Sequence, residues 1–153
     1  RPGFWRVAKV TVASVTTDIA MGPFLIPSNA QNMIMNSFAQ RCNKKIEIVI
    51  PEPILSDRLL TTQWLHEEFR FESIFFSSIH QLPKARLHLE KLCQNMSDTQ
   101  FFFAIEGEIG IGPEFLRSCA LERDIFSGAQ TIDQGSADWL DFYRKSKIKK
   151  SDG

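Results

Sequence analysis

The apolar positions of the chain fall into two kinds of segment: short continuous runs, and longer stretches in which apolar residues recur every three or four positions. The continuous runs span residues 6–15, 45–50, 73–78 and 100–107 and are rich in Val, Ile and Phe. Such runs are typical of strands covered on both faces, as in parallel sheets. The pattern therefore predicts four strands.

Segments with helical periodicity lie between and after these runs. The predicted helices span residues 27–42, 56–69, 83–96, 112–126 and 136–147. Their expected starts are marked by Ser28 and Ser56 as N-caps and by Pro83 and Pro113 in first turns. The residues expected to face the sheet are Met33, Ile34, Phe38 and Cys42, then Leu60, Trp64 and Phe69, then Leu89, Leu92, Cys93 and Met96, and finally Leu116, Cys119 and Ala120.

Strands that alternate with helices indicate βαβ units with right-handed crossovers. We therefore predict the α/β fold class, as a three-layer sandwich with a mostly parallel four-stranded sheet ordered 2-1-3-4. We predict a single domain over residues 1–143, because 153 residues is an ordinary length for one domain. The lysine-rich residues 144–153 are expected to form a basic, disordered tail.

Composition and charge argue against several classes of function. The formal net charge is zero, with 18 basic and 18 acidic residues, so we expect no nucleic-acid partner, which would need a basic face. No apolar run approaches the ~20 residues of a membrane span and no signal peptide is visible, so we expect a cytoplasmic protein without a membrane partner. The three cysteines lack CxxC spacing, which predicts free thiols. We predict no metal and no cofactor, because neither has a fingerprint here.

Candidate chemistry follows from the places where the strands end, because ligands of open parallel sheets bind outside the carboxyl ends of the strands. Thr16 follows the first predicted strand, and Glu52 follows the second. The segment FFSSIHQLPKAR, residues 75–86, follows the third strand, and Glu106 closes the fourth. We expect these residues to lie along one edge of the sheet.

Three residues at this edge are candidates for catalysis. His80 is suited to acid–base chemistry near neutral pH, and Glu52 and Glu106 are suited to holding sugar hydroxyls, a metal or a proton. Glu106 follows the apolar run FFFAI, so its carboxylate is expected to be shielded and to need a partner or a raised pKa. Structural roles are the alternative: Ser77 and Ser78 as a turn or cap, and His80 and Glu52 as solvated surface residues.

Other polar residues near the same edge are candidates for binding a substrate. They are Thr16, Gln31, Asn32, Ser78, Gln81 and Arg86. Arg86 is suited to a phosphate or carboxylate, although a surface salt bridge is the alternative.

Four motifs, in this order, resemble the sporadic carbohydrate cluster proteins, a family encoded among bacterial polysaccharide-biosynthesis genes. The motifs are IPSNAQN with Pro27, Gln31 and Asn32, IPEP with Glu52, FFSSIHQLPKAR with Ser78, Gln81, Leu82, Pro83 and Arg86, and FFFAIEG with Glu106. The chain departs from the family pattern by having no Arg near the first strand and Ser77 in place of a Tyr. The resemblance implies a role in making surface-polysaccharide sugars and names no reaction.

The segment ASVTTD, residues 13–18, is similar to the first strand end of serine recombinase catalytic domains. Here Thr16 replaces the nucleophilic Ser, Ser14 replaces an Arg, and no basic DNA-binding segment follows. This resemblance implies a resolvase-like fold, with a flavodoxin-like fold as the alternative, and does not imply recombination.

Together these features predict a small protein of surface-polysaccharide or unusual-sugar biosynthesis that acts on a sugar phosphate or a nucleotide sugar. The alternative is a non-catalytic accessory or partner-binding module of the same pathway. A homodimer is expected because the apolar residues Phe24, Leu25, Ile26, Trp139, Leu140, Phe142 and Tyr143 exceed what a small sandwich can cover.

Overall fold

A five-stranded sheet forms the centre of the protein in the computed structural model, which describes residues 10–18, 20–21, 24–53 and 57–126. The strands are β1 (Val12–Thr17), β2 (Ala20–Met21), β3 (Phe24–Leu25), β4 (Ile48–Glu52), β5 (Ser73–Phe76), β6 (Gln100–Phe103) and β7 (Glu108–Ile111). The helices are α1 (Ser28–Arg41), α2 (Leu60–Phe69), α3 (Arg86–Asn95) and α4 (residues 113–126), with a 3₁₀ turn at Ile79–Gln81.

The strands of the sheet are ordered β4-β1-β5-β6-β7, and β2 pairs with β3 in a separate hairpin. β1, β4, β5 and β6 are parallel, which confirms the predicted order 2-1-3-4 for four strands. The sheet has one further strand, β7, which runs antiparallel to β6 and which the apolar pattern did not predict. It forms because Gly107, at a φ of 68°, allows the chain to turn back on β6.

Helices cover both faces of the sheet, which confirms the three-layer sandwich. On one face, side chains of α2, α3 and α4 join Val15 and Ile50 in the larger core cluster. On the other face, α1 packs through Phe38, whose ring lies edge-on to Phe75 and Phe102. Burial of these apolar side chains is the main source of stability.

The strand ends differ from the predicted ones by a few residues. β1 and β4 extend further than predicted, so Thr16, Thr17 and Glu52 belong to strands instead of following them. Residues 6–9 of the first predicted run lie outside the described residues. β6 ends before Glu106, which lies in the turn that leads to β7. Apolar character did not identify these ends, because hydrogen-bond pairing between neighbouring strands decides where a strand stops.

Two of the predicted helix starts are wrong. Pro27 occupies the N-cap position of α1 without a side-chain cap, and Ser28 is the first helical residue, whose hydroxyl donates to Asp18 at 3.3 Å. Pro83 precedes α3, because the chain stays extended after the 3₁₀ turn. Ser56 lies outside the described residues.

The predicted inward face of α1 is wrong at one residue, and that of α2 is wrong at two. In α1, Met33 is 74% exposed, and Met35 fills the core instead. In α2, Leu60 and Trp64 are 56% and 64% exposed. The buried residues of α2 are Thr62, Gln63 and His66. Polar side chains occupy this buried face because each of the three makes a hydrogen bond there.

The remaining helix predictions are confirmed. The sheet-facing residues of α3 and α4 all belong to the larger core cluster: Leu89, Leu92, Cys93, Met96, Leu116, Cys119 and Ala120. Pro113 is the first residue of α4. Ile34, Phe38 and Cys42 of α1 pack in the second core cluster, and all three cysteines are free.

Several predictions concern residues that the structure does not describe. The helix at 136–147 and the basic tail at 144–153 lie outside the described residues, and the domain boundary at residue 143 stays a prediction. Among the helices of the described part of the chain, none is both long enough and apolar enough to cross a membrane.

We expect the stability of the protein to fall on acidification partly through His66. Its Nδ1 accepts the N–H of Phe71 at 3.1 Å, and burial, followed by the charge of Arg70, lowers its pKa. A histidine with a depressed folded-state pKa favours folding above its ordinary value near 6.5 and loses that contribution as the pH falls. His66→Asn keeps an acceptor oxygen at this position but cannot titrate.

Urea unfolding at pH 7 and pH 5 measures this effect. The free energy of unfolding should drop less between the two pH values in His66→Asn than in the wild-type protein. An equal drop in both proteins would show that other groups cause the acid sensitivity.

Candidate functional site

The carboxyl ends of β1, β4, β5 and β6 meet at one edge of the sheet, which we call the carboxyl edge. It is lined by Thr17, Glu52 and Ser77, at or directly after three of the strand ends, and by Glu106 in the turn after β6. The β2–β3 hairpin brings the segment after β1 close to the 3₁₀ turn that follows β5. The loops after different strands therefore come together here, as the sequence predicts for this fold.

Glu106 binds the start of the 3₁₀ turn. Its Oε2 accepts the Ser78 hydroxyl at 2.7 Å, and its Oε1 accepts the N–H of Ile79 at 2.8 Å. Burial raises the pKa of Glu106, the two hydrogen bonds lower it in part, and the charge of Glu122 adds to the increase. The predicted shielding of this carboxylate and its need for a partner are thus confirmed.

Gln81 and Ser78 form a capping box around the same turn. The Oε1 of Gln81 accepts the N–H groups of Ser77 and Ser78 at 2.7 and 3.2 Å, and the Ser78 hydroxyl accepts the N–H of His80 at 3.2 Å. The Nε2 of Gln81 donates to the carbonyl of Val15 in β1 at 3.0 Å. The Gln81 side chain therefore ties the loop after β5 to the central strand.

Gln31 has the same role on the other side of β1. From α1, its Oε1 accepts the N–H of Thr17 at 3.1 Å, while its Nε2 donates to the carbonyl of Thr17 at 2.5 Å and to that of Ile26 at 2.7 Å. The whole side chain is buried. These bonds fix the backbone at the end of β1.

Glu52 lies at the end of β4 and binds the first turn of α2. Its Oε1 accepts both the N–H and the hydroxyl of Thr62, at 2.6 and 2.7 Å. This contact replaces a local cap, because Leu59 at the N-cap position provides no side-chain acceptor. The other carboxylate oxygen, Oε2, is buried and has no hydrogen-bond partner among the described residues.

The ring of His80 packs against α4. It lies edge-on to Phe126, with centroids 5.5 Å apart. Burial, followed by the charges of Arg123 and Lys84, lowers the pKa of His80. Its backbone N–H donates to the Ser78 hydroxyl, which in turn donates to Glu106, so His80 is linked to Glu106 through its backbone.

The other candidate residues are less constrained. Arg86 is exposed at the first residue of α3, and Thr16 is buried near the end of β1. Asn32 lies in the first half of α1, and its Oδ1 is buried without a partner. The hydroxyls of Ser14, Thr17 and Ser77 are also buried without partners among the described residues.

The distances between strands limit what these groups can do together. Glu52 ends β4, whereas Glu106 binds the loop after β5, and β1 lies between those two strands. Two strand spacings amount to roughly 10 Å. A ligand would therefore have to bridge two strand spacings to contact both carboxylates.

Arg123, which is not among the candidates predicted from the sequence, also shapes this part of the molecule. Arg123 of α4 is 2% exposed and donates to the carbonyls of Leu82 and Pro83 at 2.7 and 3.1 Å. It holds the segment after the 3₁₀ turn against α4. The surrounding sequence gave no signal for a buried arginine, because its acceptors are backbone carbonyls about forty residues away in sequence.

A second set of contacts holds the start of α3. Asp57 accepts the N–H groups of Lys84 and Ala85 at 2.6 and 2.9 Å, and its Oδ2 lies 2.9 Å from Nδ1 of His88. Arg58 Nε donates to Nε2 of His88 at 3.1 Å. Because Arg58 donates to Nε2 of His88, Nδ1 is the ring nitrogen left to contact Asp57.

The buried thiols are not suited to nucleophilic chemistry. Burial, with the neighbouring charges of Glu108 and Glu122, raises the pKa of Cys119 to about 12. Burial also raises the pKa of Cys93. Among the described residues, no group of three or more His, Cys, Asp or Glu side chains is placed to hold a metal ion.

Comparison with known proteins gives a likeness at the level of the fold. No family model matches the chain, and no curated protein matches it. Among solved structures, the N-terminal catalytic domain of TP901-1 integrase, a serine recombinase, superposes with a TM-score of 0.52 at 14% identity, covering 82% of this chain and 97% of that one. The predicted resemblance to the serine recombinase fold is confirmed, while the resemblance to the carbohydrate cluster family stays a prediction.

We expect Glu106→Gln to keep the fold and Glu106→Ala to weaken it. Gln can still accept the N–H of Ile79 and can donate to the Ser78 hydroxyl, whereas Ala leaves that buried N–H without its acceptor, at a cost of about 1–3 kcal/mol. An acid with a raised folded-state pKa loses its stabilising contribution as the pH rises through that pKa. The stability of Glu106→Gln relative to the wild-type protein should therefore increase between pH 5 and pH 8.

Thermal unfolding of both variants across this pH range tests the expectation. A Gln variant that is as unstable as the Ala variant would show that the negative charge itself anchors the turn.

Proposed function

We propose that this protein binds a sugar phosphate or a nucleotide sugar at the carboxyl edge, as a non-catalytic accessory module of surface-polysaccharide biosynthesis. One observation carries the proposal. The carboxylate and amide side chains at this edge already bind backbone groups, while hydroxyl and amide oxygens beside them have no partners among the described residues. Such an edge is suited to binding rather than to proton transfer.

The positions of the acidic residues support binding over catalysis. A general acid and a general base must both reach the reacting atoms at hydrogen-bond distance. Glu106 holds the 3₁₀ turn, Glu52 holds α2, and the His80 ring contacts Phe126. Of the two carboxylates, only Glu52 keeps an oxygen without a partner among the described residues, and a single carboxylate does not supply both an acid and a base.

The unpartnered oxygens on the α1 side of the sheet support a ligand rich in hydroxyls. Ser14 is the register partner of Phe75, which packs against α1, and by alternation Ser77 points to that same face. Asn32 of α1 adds an amide oxygen. Sugar hydroxyls both donate and accept, so they match such a mixed set.

A basic side chain at the same edge supports a phosphate in the ligand. Arg86 is exposed at the start of α3, and α3 begins at the carboxyl edge because it follows β5. A guanidinium group binds phosphate oxygens in a bidentate manner. The pathway, and with it a cytoplasmic location, is inferred from the resemblance of the four sequence motifs to the carbohydrate cluster proteins.

We expect glucose 1-phosphate or UDP-glucose to raise the melting temperature of the protein and to bind in calorimetry. Ser77→Ala should leave the melting temperature unchanged, because the Ser77 hydroxyl makes no hydrogen bond within the described residues. It should weaken binding about 2- to 10-fold, as expected for the loss of one hydrogen bond of about 0.5–1.5 kcal/mol.

Ser97→Ala is the matched control, because Ser97 is exposed between α3 and β6, at the opposite edge of the sheet. Equal weakening in both variants, or no binding of either ligand, would contradict the proposal. Conversion of either ligand, followed by NMR, would favour the catalytic alternative.

We also propose that the protein forms a homodimer. Exposed apolar side chains support this: Leu25 is 69% exposed, and Ile109 and Ile111 on the edge strand β7 are 45% and 57% exposed. Residues 139–143 of the predicted apolar excess lie outside the described residues. Sedimentation velocity at micromolar concentration should show twice the 17.5 kDa chain mass, and a species of 17.5 kDa would contradict the proposal.

A further inference from the structure

The free oxygen of Glu52 is the least satisfied charged atom of the carboxyl edge. Glu52 is 3% exposed, and only Oε1 is bound, by the N–H and hydroxyl of Thr62. Oε2 has no partner among the described residues. A buried carboxylate oxygen without a donor is unfavourable, so its presence at a ligand-binding edge calls for a donor that the described residues do not supply, which a ligand would provide.

Thr17 places a second unsatisfied oxygen beside Glu52. The two residues are register partners on adjacent parallel strands, so their side chains point to the same face of the sheet. This is the α2 face, since Val15 and Ile50, the preceding partners of the same alternation, lie in its core cluster. Thr17 is 3% exposed, and its hydroxyl oxygen has no partner among the described residues.

The backbone around both atoms is held in place. Gln31 binds the N–H and the carbonyl of Thr17, and the first turn of α2 binds Glu52. The free hydroxyl and the free carboxylate oxygen are therefore presented by fixed elements, as a preorganised subsite requires.

We propose that Glu52 and Thr17 form a subsite for a primary ammonium group, so that the ligand of the carboxyl edge is an amino sugar phosphate or its nucleotide derivative. This inference rests on the proposed function and names the ligand class within it. An ammonium group has three donors and a positive charge, so one group can donate to Oε2 of Glu52 and to the Thr17 hydroxyl oxygen together. The bond to Glu52 is charge-assisted, which makes it stronger than the bond that a neutral sugar hydroxyl would make.

The charges and the depth of the subsite agree with this ligand. Asp18 and Pro53, which directly follow Thr17 and Glu52, are both exposed, so the two buried oxygens lie one residue below the surface. A divalent metal ion is a poorer match, because Glu52 is the one carboxylate at the subsite and no metal-binding group of three or more acidic, His or Cys side chains occurs in the described residues.

Three ligands that differ at one position of the sugar test the inference: glucosamine 1-phosphate, N-acetylglucosamine 1-phosphate and glucose 1-phosphate. Calorimetry with the wild-type protein should show at least tenfold tighter binding of glucosamine 1-phosphate than of either neutral analogue. The preference should weaken above pH 8, as the amino group of the ligand loses its proton.

Glu52→Gln and Thr17→Val separate the two contributions. Gln can still accept from Thr62, but it places an amide donor where Oε2 stood, so the preference for glucosamine 1-phosphate over glucose 1-phosphate should disappear. Thr17→Val keeps the shape of the side chain, removes an unpaired hydroxyl, and should reduce the preference several-fold without lowering the melting temperature.

Each outcome decides between the two proposals. Equal binding of the three ligands to the wild-type protein would overturn the ammonium subsite and leave the proposed function standing. Absence of binding for all three would overturn both. If both Thr17→Val and Glu52→Gln keep the preference for glucosamine 1-phosphate, the amino group is recognised elsewhere and the ammonium subsite is overturned. If Glu52→Gln does not fold, the comparison of the three ligands on the wild-type protein and the result with Thr17→Val decide whether the subsite exists.

Discussion

The structure depends on satisfying the backbone N–H groups where parallel strands end and helices begin. At these places neither the hydrogen bonding between strands nor the helix supplies an acceptor. An unpaired buried N–H is unfavourable by about 1–3 kcal/mol. Four long side chains meet this demand at the carboxyl edge: Gln31, Glu52, Gln81 and Glu106. Each reaches from one element to the backbone of another, so together they join α1, β1, β4, the 3₁₀ turn and the β6–β7 turn.

This constraint also decides the chemistry that remains at the edge. A carboxylate that already accepts hydrogen bonds on both oxygens, as Glu106 does, has little freedom to take up or release a proton for a substrate. Glu52 differs because one oxygen stays free. The groups left for a ligand are therefore that oxygen, several hydroxyls and an amide. These groups recognise a ligand by its pattern of hydrogen-bond donors.

The likeness to a serine recombinase catalytic domain concerns the arrangement of strands and helices. Residues at the end of β1 show why function does not follow from it. Ser14 and Thr16 are both buried in the strand, and Thr16 stands where the recombinase pattern has its nucleophilic serine. The same edge of the same fold can thus carry a different set of side chains, and function is decided by that set.

The site was predictable in position but not in its contacts. That Glu106 would lie next to the Ser78–His80 loop follows from strand order, and the contact with Ser78 and Ile79 is present. The direction of His80 towards Phe126 was not predictable, because it depends on how α4 returns to pack beside the loop. The role of Glu52 likewise depends on where α2 begins.

The sequence by itself determined the alternation of strands and helices, the inward faces of α3 and α4, and the residues that gather at the carboxyl edge. These follow from local periodicity and chain order. Only the tertiary structure decided the added strand β7, the buried polar face of α2, and the bonding of Gln31 and Glu52. The physical reason is that these features are pairings between groups distant in sequence, and a hydrogen bond between such groups outweighs the local preference of either one.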